Sequence, residues 1–182
     1  MNAATPIRSS EPRENSFCAV DVENILRERE WIVSSAGSEL STAWIARAAF
    51  LLGPHAADRA ALAELLGLIF QYDAPAILKT QVSHAVLGRE GARNVIRELA
   101  LAVMEGPSID SERFKAIITG IKSRLPYSGR ELFYPVRLAL AGRVGGGELD
   151  RVILLLDDAA ATSGLAPVKN VRQRMLEFCA AL

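Results

Sequence analysis

Apolar residues recur along this chain at spacings of three and four, and that spacing admits one kind of backbone. Leu62, Leu65, Leu66 and Ile69 follow the i, i+3, i+4, i+7 pattern that lines one face of an α-helix. The same stripe runs through Val22, Ile25, Leu26 and Ile32, and again through Leu40, Trp44, Ala48 and Leu51. It returns at Ala92, Ile96, Leu99 and Val103, and at Phe114, Ile117, Ile118 and Ile121. Leu149, Val152, Ile153 and Leu156 stripe a short helix, and Val171, Met175, Phe178 and Leu182 stripe a last one. Only ILKTQVSHAV and RVILLL are arguable as strands, and both keep a helical register. The expected fold is all-α, a helical bundle in two subdomains.

Breakers and caps place the ends. Gly53-Pro54 and Gly106-Pro107 stop two helices, Asp21 stands where a cap for the first is needed, and Asp110 or Ser111 caps the sixth. Pro75 and Gly88 bound a single fourth helix in APAILKTQVSHAVLG. The LPYSG run at 125–129 marks a boundary. The expected division is a flexible tail over 1–18, rich in Ser, Pro and charge, a larger bundle over 19–125 and a smaller C-terminal subdomain over 126–182.

Half of the 182 residues are hydrophobic, enough for a substantial core, yet no uninterrupted apolar run reaches the ~18 residues of a membrane span. The N-terminus lacks the hydrophobic stretch of a secretory signal. Cys18 and Cys179 sit at opposite ends, which fits a reducing cytoplasm, and the apolar stripe around Cys179 reads it as a buried thiol. The two histidines, His55 and His84, have no metal-ligand spacing around them, His55 falling in a solvated loop or helix start. Gly145-Gly146-Gly147 lacks the strand and the Lys-Ser/Thr of a phosphate loop. Asp157 and Asp158, about 100° apart on a helix, read as a solvated face, and Trp31 and Trp44 read as core. No catalytic centre, metal site or cofactor is implied.

Charge is where the chain is uneven. Lys and Arg number 21, as do Asp and Glu, but residues 111–143 hold seven basic side chains (Arg113, Lys115, Lys122, Arg124, Arg130, Arg137 and Arg143) against Glu112 and Glu131, an excess of five. Lys169, Arg172 and Arg174 form a second basic group. Within SGRELFYPVRLALAGRVGGGEL, residues 128–149, Pro135 biases Tyr134 away from helix and fits the first turn of a new one. That would place Arg137 in the same turn, where the dipole disfavours a cation by about 0.3–1 kcal/mol, so Arg137 needs a carboxylate partner or an external anion. Gly142 stops the helix, and the three glycines form a mobile loop open to close approach.

This passage resembles the C-terminal anticodon-binding domain of bacterial glutamyl-tRNA synthetases, a Gly-Lys-x-Leu-x-x-Pro-Leu-Arg-x-Ala-Leu-Thr-Gly pattern followed by a loop and Gly-Pro-x-Leu. The matching residues are Gly129, Leu132, Pro135, Arg137, Leu140, Gly142 and Leu149. Ala141 replaces the threonine and a glycine replaces the loop proline. The resemblance implies a helical tRNA-binding module in which Arg137, Gly146, Gly147 and Leu149 approach RNA bases, with Arg143, Arg130, Arg124 and Lys122 of the basic stretch meeting the backbone. The synthetase catalytic signatures are absent, and 182 residues leave no room for the catalytic domain, so the expectation is a non-catalytic protein, alone or beside a separate catalytic chain. The alternative is a protein-interaction or regulatory module that kept the scaffold and lost RNA binding.

Overall fold

The computed structural model describes residues 17–33 and 39–182, and the side chains of all of these but Glu39 and Leu40. The tail expected over 1–18 therefore lies outside the described residues except for Phe17 and Cys18, and the stripe position Leu40 lies outside the described side chains. Among the described residues the regular structure is helical, apart from one isolated antiparallel bridge between Ile32 and Leu165.

The first helix, α1 (Ala19–Glu28), begins two residues before the expected cap. Asp21 sits inside the first turn, where its carboxylate accepts the Cys18 N–H at 2.8 Å. The helix closes through Glu30 at φ 58°, with the Trp31 N–H on Leu26 O at 2.8 Å and the Glu30 N–H on Arg27 O at 3.0 Å, the paired bonds of a Schellman end. That end turns Trp31 into the core. There it stacks on Phe70 with centroids 4.7 Å apart, while Trp44 meets the same ring edge-on at 6.1 Å. Both tryptophans are buried, as expected.

Next come α2 (Glu39–Leu52), a 3-10 turn at Gly53–His55 and α3 (Arg59–Phe70). The fourth helix expected over 74–87 is two, α4 (Ala74–Leu78) and α5 (Gln81–Leu87). Thr80 divides them: its backbone is extended and its side chain accepts the Ser83 N–H at 3.2 Å, a capping choice that outcompetes helix continuation. Then follow α6 (Ala92–Met104), α7 (Ser111–Arg124, capped by Asp110), α8 (Gly129–Ala141), α9 (Glu148–Ala161) and α10 (Val171–Ala181).

Helix α9 is central, packed against α2, α3 and α8, and every residue from Val152 to Leu156 is buried. A stretch apolar on every face, as 152–156 is, belongs inside a bundle. The buried cluster runs from Val22 to Phe178 and continues across position 125/126; Trp44 Nε1, on α2, donates to Leu155 O of α9 at 3.3 Å. Asp157 is no solvated side chain. It accepts the N–H groups of Ile109 at 2.6 Å and Val171 at 2.8 Å, pinning the loop before α7 to the start of α10. Asp158 does face solvent and pairs with Arg47.

Arg174 on α10 is fully buried and has no carboxylate partner among the described residues. Its guanidinium donates to Leu140 O at 2.8 Å, Ile69 O at 2.5 Å and Lys169 O at 3.0 Å and lies 4.5 Å from the Tyr72 ring centroid. Ile69 and Leu140 belong to the last turns of α3 and α8, where carbonyls lack intrahelical donors and the dipole favours a cation. Burial pulls its pKa down to about 10, so the charge remains at neutral pH. The second cysteine departs from expectation: Cys179 is exposed.

Candidate nucleic-acid interface

The motif at 128–149 forms α8, the loop 142–147 and the first turns of α9. Pro135 lies inside α8 rather than starting a helix. Its missing N–H leaves the Glu131 carbonyl without its usual donor, a defect of about 3 kcal/mol in a helix interior. Leu132, Val136 and Leu140 are fully buried on the same helix, and each contributes roughly 1.5–3 kcal/mol. Packing therefore outweighs the local penalty and carries the helix through Tyr134 and Pro135. Gly142 ends it at φ 75°, where a Cβ would also lie 2.8 Å from Ile77 Cδ1.

Arg137 consequently sits mid-helix, and the anion it needs is internal. Its Nε and Nη2 donate to Asp150 Oδ1 and Oδ2, both at 2.8 Å, and its Nη1 donates to Gly145 O at 2.8 Å. The guanidinium lies 4.8 Å from the Phe133 ring centroid. The side chains of the pair are 11% and 23% exposed. Asp150 occupies the first turn of α9, where the dipole favours a carboxylate. One arginine thus ties α8, the loop and α9 together. Glu148 adds a second tie, its Oε1 accepting the Gly146 N–H at 2.7 Å, so the loop expected to be mobile is anchored at Gly145 and Gly146. Leu149 is buried and faces the core instead of a ligand, whereas a Cβ on Gly147 would meet open space.

The excess of positive charge over 111–143 is largely answered by acids elsewhere in the chain. Arg124 pairs with Glu98 at 2.7 Å and Arg143 with Glu64 at 3.3 Å; Lys115 takes its near neighbour Glu112 at 2.9 Å. Arg113 folds over Gly106 and donates to Ala102 O at 3.0 Å. The second basic group is also internal: Lys169 pairs with Glu177, Arg172 caps the end of α6 through Met104 O and Gly106 O, and Arg174 is buried. Lys122 and Arg130 remain exposed, and no ion pair holds either among the described residues.

Lys122 opens onto a groove of about 390 Å³ between α7 and α9, floored by Phe114, Ile118 and Leu154 and edged by Phe133, Gly147 and Arg151. Lys122 Nζ lies 5.5 Å from the Phe133 centroid. Arg151 is exposed and likewise free of ion pairs among the described residues. Sequence reasoning missed it because α9 was read for its apolar stripe alone. Its signal was its register, an arginine between Leu149 and Val152, facing outward. The structure thus brings Lys122 and Gly147 to one groove, leaves Gly146 beside it in the loop, and sends Arg143 elsewhere, to a groove with Arg29 and Trp31. Among the described residues no group of three or more His, Cys, Asp or Glu could hold a metal ion, and no helix is long and apolar enough to cross a membrane.

Comparison with known proteins places this geometry. A family model described as an anticodon binding domain matches residues 22–163, reaching far upstream of the motif. Among curated proteins, the chain is 34% identical over 76 residues to a glutamate–tRNA ligase of Carboxydothermus hydrogenoformans, covering 42% of this chain and 16% of the relative. It is 28% identical over 135 residues to that of Bacillus velezensis (72% of this chain, 27% of the relative) and 28% over 138 residues to that of Bacillus subtilis (74% and 27%). The chain thus spans about a quarter or less of the length of these relatives. No solved structure matches.

Proposed function

The chain belongs to the anticodon-binding-domain family, and from that premise we propose that it is a non-catalytic tRNA-binding protein whose RNA surface is the groove between α7 and α9. The observation that carries this reading is the pairing of Lys122 and Arg151, two exposed cations without carboxylate partners among the described residues, with the half-buried ring of Phe133. Cations answer phosphates, and the Phe133 ring edging the groove offers an apolar contact to an unpaired base. Arg130, exposed in the first turn of α8, is a further cation of this reading. Arg143 is half exposed in a surface pair with the exposed Glu64, worth about 0–1 kcal/mol, so a phosphate can displace Glu64. Arg124 is bound more firmly, because its partner Glu98 is only 15% exposed.

Arg137 has a different role in this reading. Three of its five N–H groups are held by Asp150 and Gly145, so it positions the loop, presenting Gly146 and Gly147 to the RNA. The family match covers the anticodon domain and no catalytic one, which supports a binding role for this chain; in this reading it works in the cytoplasm, beside any catalytic chain. Titrating unfractionated tRNA into the intact chain tests the proposal. The Lys122→Ala, Arg151→Ala double variant should bind about tenfold or more weakly at low salt. Wild-type protein that fails to bind tRNA at low salt, or a double variant that binds equally well, overturns it.

A further inference from the structure

A second surface lies on α6 and α10, and it shares no lining residue with the Lys122 groove. Leu101, Met104 and Leu182 are large apolar side chains left 52%, 39% and 41% exposed, and all three line one shallow groove of about 290 Å³ with Ile96 and Ala100. Arg93 and Arg97 stand at one end of it. Arg93 is exposed and makes no ion pair among the described residues. Arg97 is 70% exposed, and its nearest carboxylate is Glu98 at the distant 4.0 Å, whose other oxygen is held by Arg124 at 2.7 Å. The groove therefore combines an apolar strip with two available cations.

We propose that this groove docks an acidic amphipathic helix of a partner protein. Positions 93, 97, 100, 101 and 104 share one face of α6, and the strip extends over about 16 Å, the length of three turns of a docked helix presenting i, i+3, i+4 and i+7 anchors. Leucine and methionine answer those anchors, while Arg93 and Arg97 answer carboxylates at one end and so fix the direction of docking. A phosphate backbone is poorly matched here, because an apolar strip offers its charges no donors along most of its length. One wall of the groove, α10, lies beyond the family-matched segment 22–163.

The test uses the full chain and a pair of synthetic helices of about 18 residues with the same leucine stripe, one carrying Glu and the other Lys at the remaining positions. The glutamate peptide should shift the amide resonances of Arg93, Arg97, Leu101, Met104 and Leu182 and bind at least about tenfold more tightly than the lysine peptide. Arg93→Glu with Arg97→Glu should remove about tenfold of that affinity with the helical circular dichroism unchanged, and Leu101→Ser should weaken it independently. Lys122→Ala with Arg151→Ala should leave peptide binding intact. Equal affinity for the two peptides, or shifts confined to the Lys122 groove, overturns the proposal. So does self-association of the free chain that Leu101→Ser abolishes, which assigns the face to a second copy.

Discussion

Arg137 shows how far a residue's role depends on partners remote in sequence. Asp150 lies thirteen positions on, across a helix end and a loop, and engages it bidentately, the strong geometry for a guanidinium–carboxylate pair. Removing one partner strands the other in a largely dry site. Arg137→Gln and Asp150→Asn should each destabilise the fold by about 1–3 kcal/mol, and the double variant by clearly less than their sum in urea denaturation. Strict additivity would remove the pair from the account. Glu177 offers a pH handle at the same scale. Burial alone would raise its pKa, but its bonds to Lys169 and to the Ala74 N–H hold the carboxyl below the usual glutamate value. The folded chain therefore binds fewer protons there than the unfolded chain does. That contribution is present above the ordinary glutamate pKa and is lost as pH falls through the lowered one. Glu177→Gln should flatten the acid limb of stability against pH; an unchanged limb contradicts the assignment.

At the scale of elements, local chemistry and packing divide the control. The apolar stripes made most of the helices legible, because three- and four-residue spacing has one structural solution. Caps were legible when a side chain acts on its own turn, as Asp110 does for α7. They were misread where two local signals compete: Thr80 stops a helix that the stripe would continue, and Pro135 fails to start one because Leu132, Val136 and Leu140 bury its whole length. The end of α1 carries a non-glycine residue in a left-handed conformation, Glu30 at φ 58°, which costs a β-carbon-bearing residue about 1 kcal/mol. Glu30→Gly relieves it, less the larger chain entropy that glycine loses on folding, and should raise stability by a few tenths to about 1 kcal/mol in thermal denaturation. A destabilised variant would mean that the Glu30 side chain contributes something its exposed position does not show.

Over the whole molecule, what escaped the sequence was the pairing of charges. A linear count finds an excess of five between 111 and 143, but Glu64, Glu98 and Asp150 reach that stretch only after the chain has folded back on itself. Asp157, read as solvated beside Asp158, proves to hold two backbone segments for the same reason. The motif was legible as ancestry; the free cations Lys122 and Arg151 emerge only when α7 and α9 come together. The central claim, that RNA phosphates meet this groove while Arg137 positions the loop, is tested most directly by the salt dependence of tRNA binding. Each phosphate contact removed should lower the slope of log K against log salt by about one. Lys122→Ala with Arg151→Ala should lower the slope by about two, and Arg137→Gln should weaken binding at an unchanged slope. A slope that holds in the double variant, or that falls by about one in Arg137→Gln, contradicts the account.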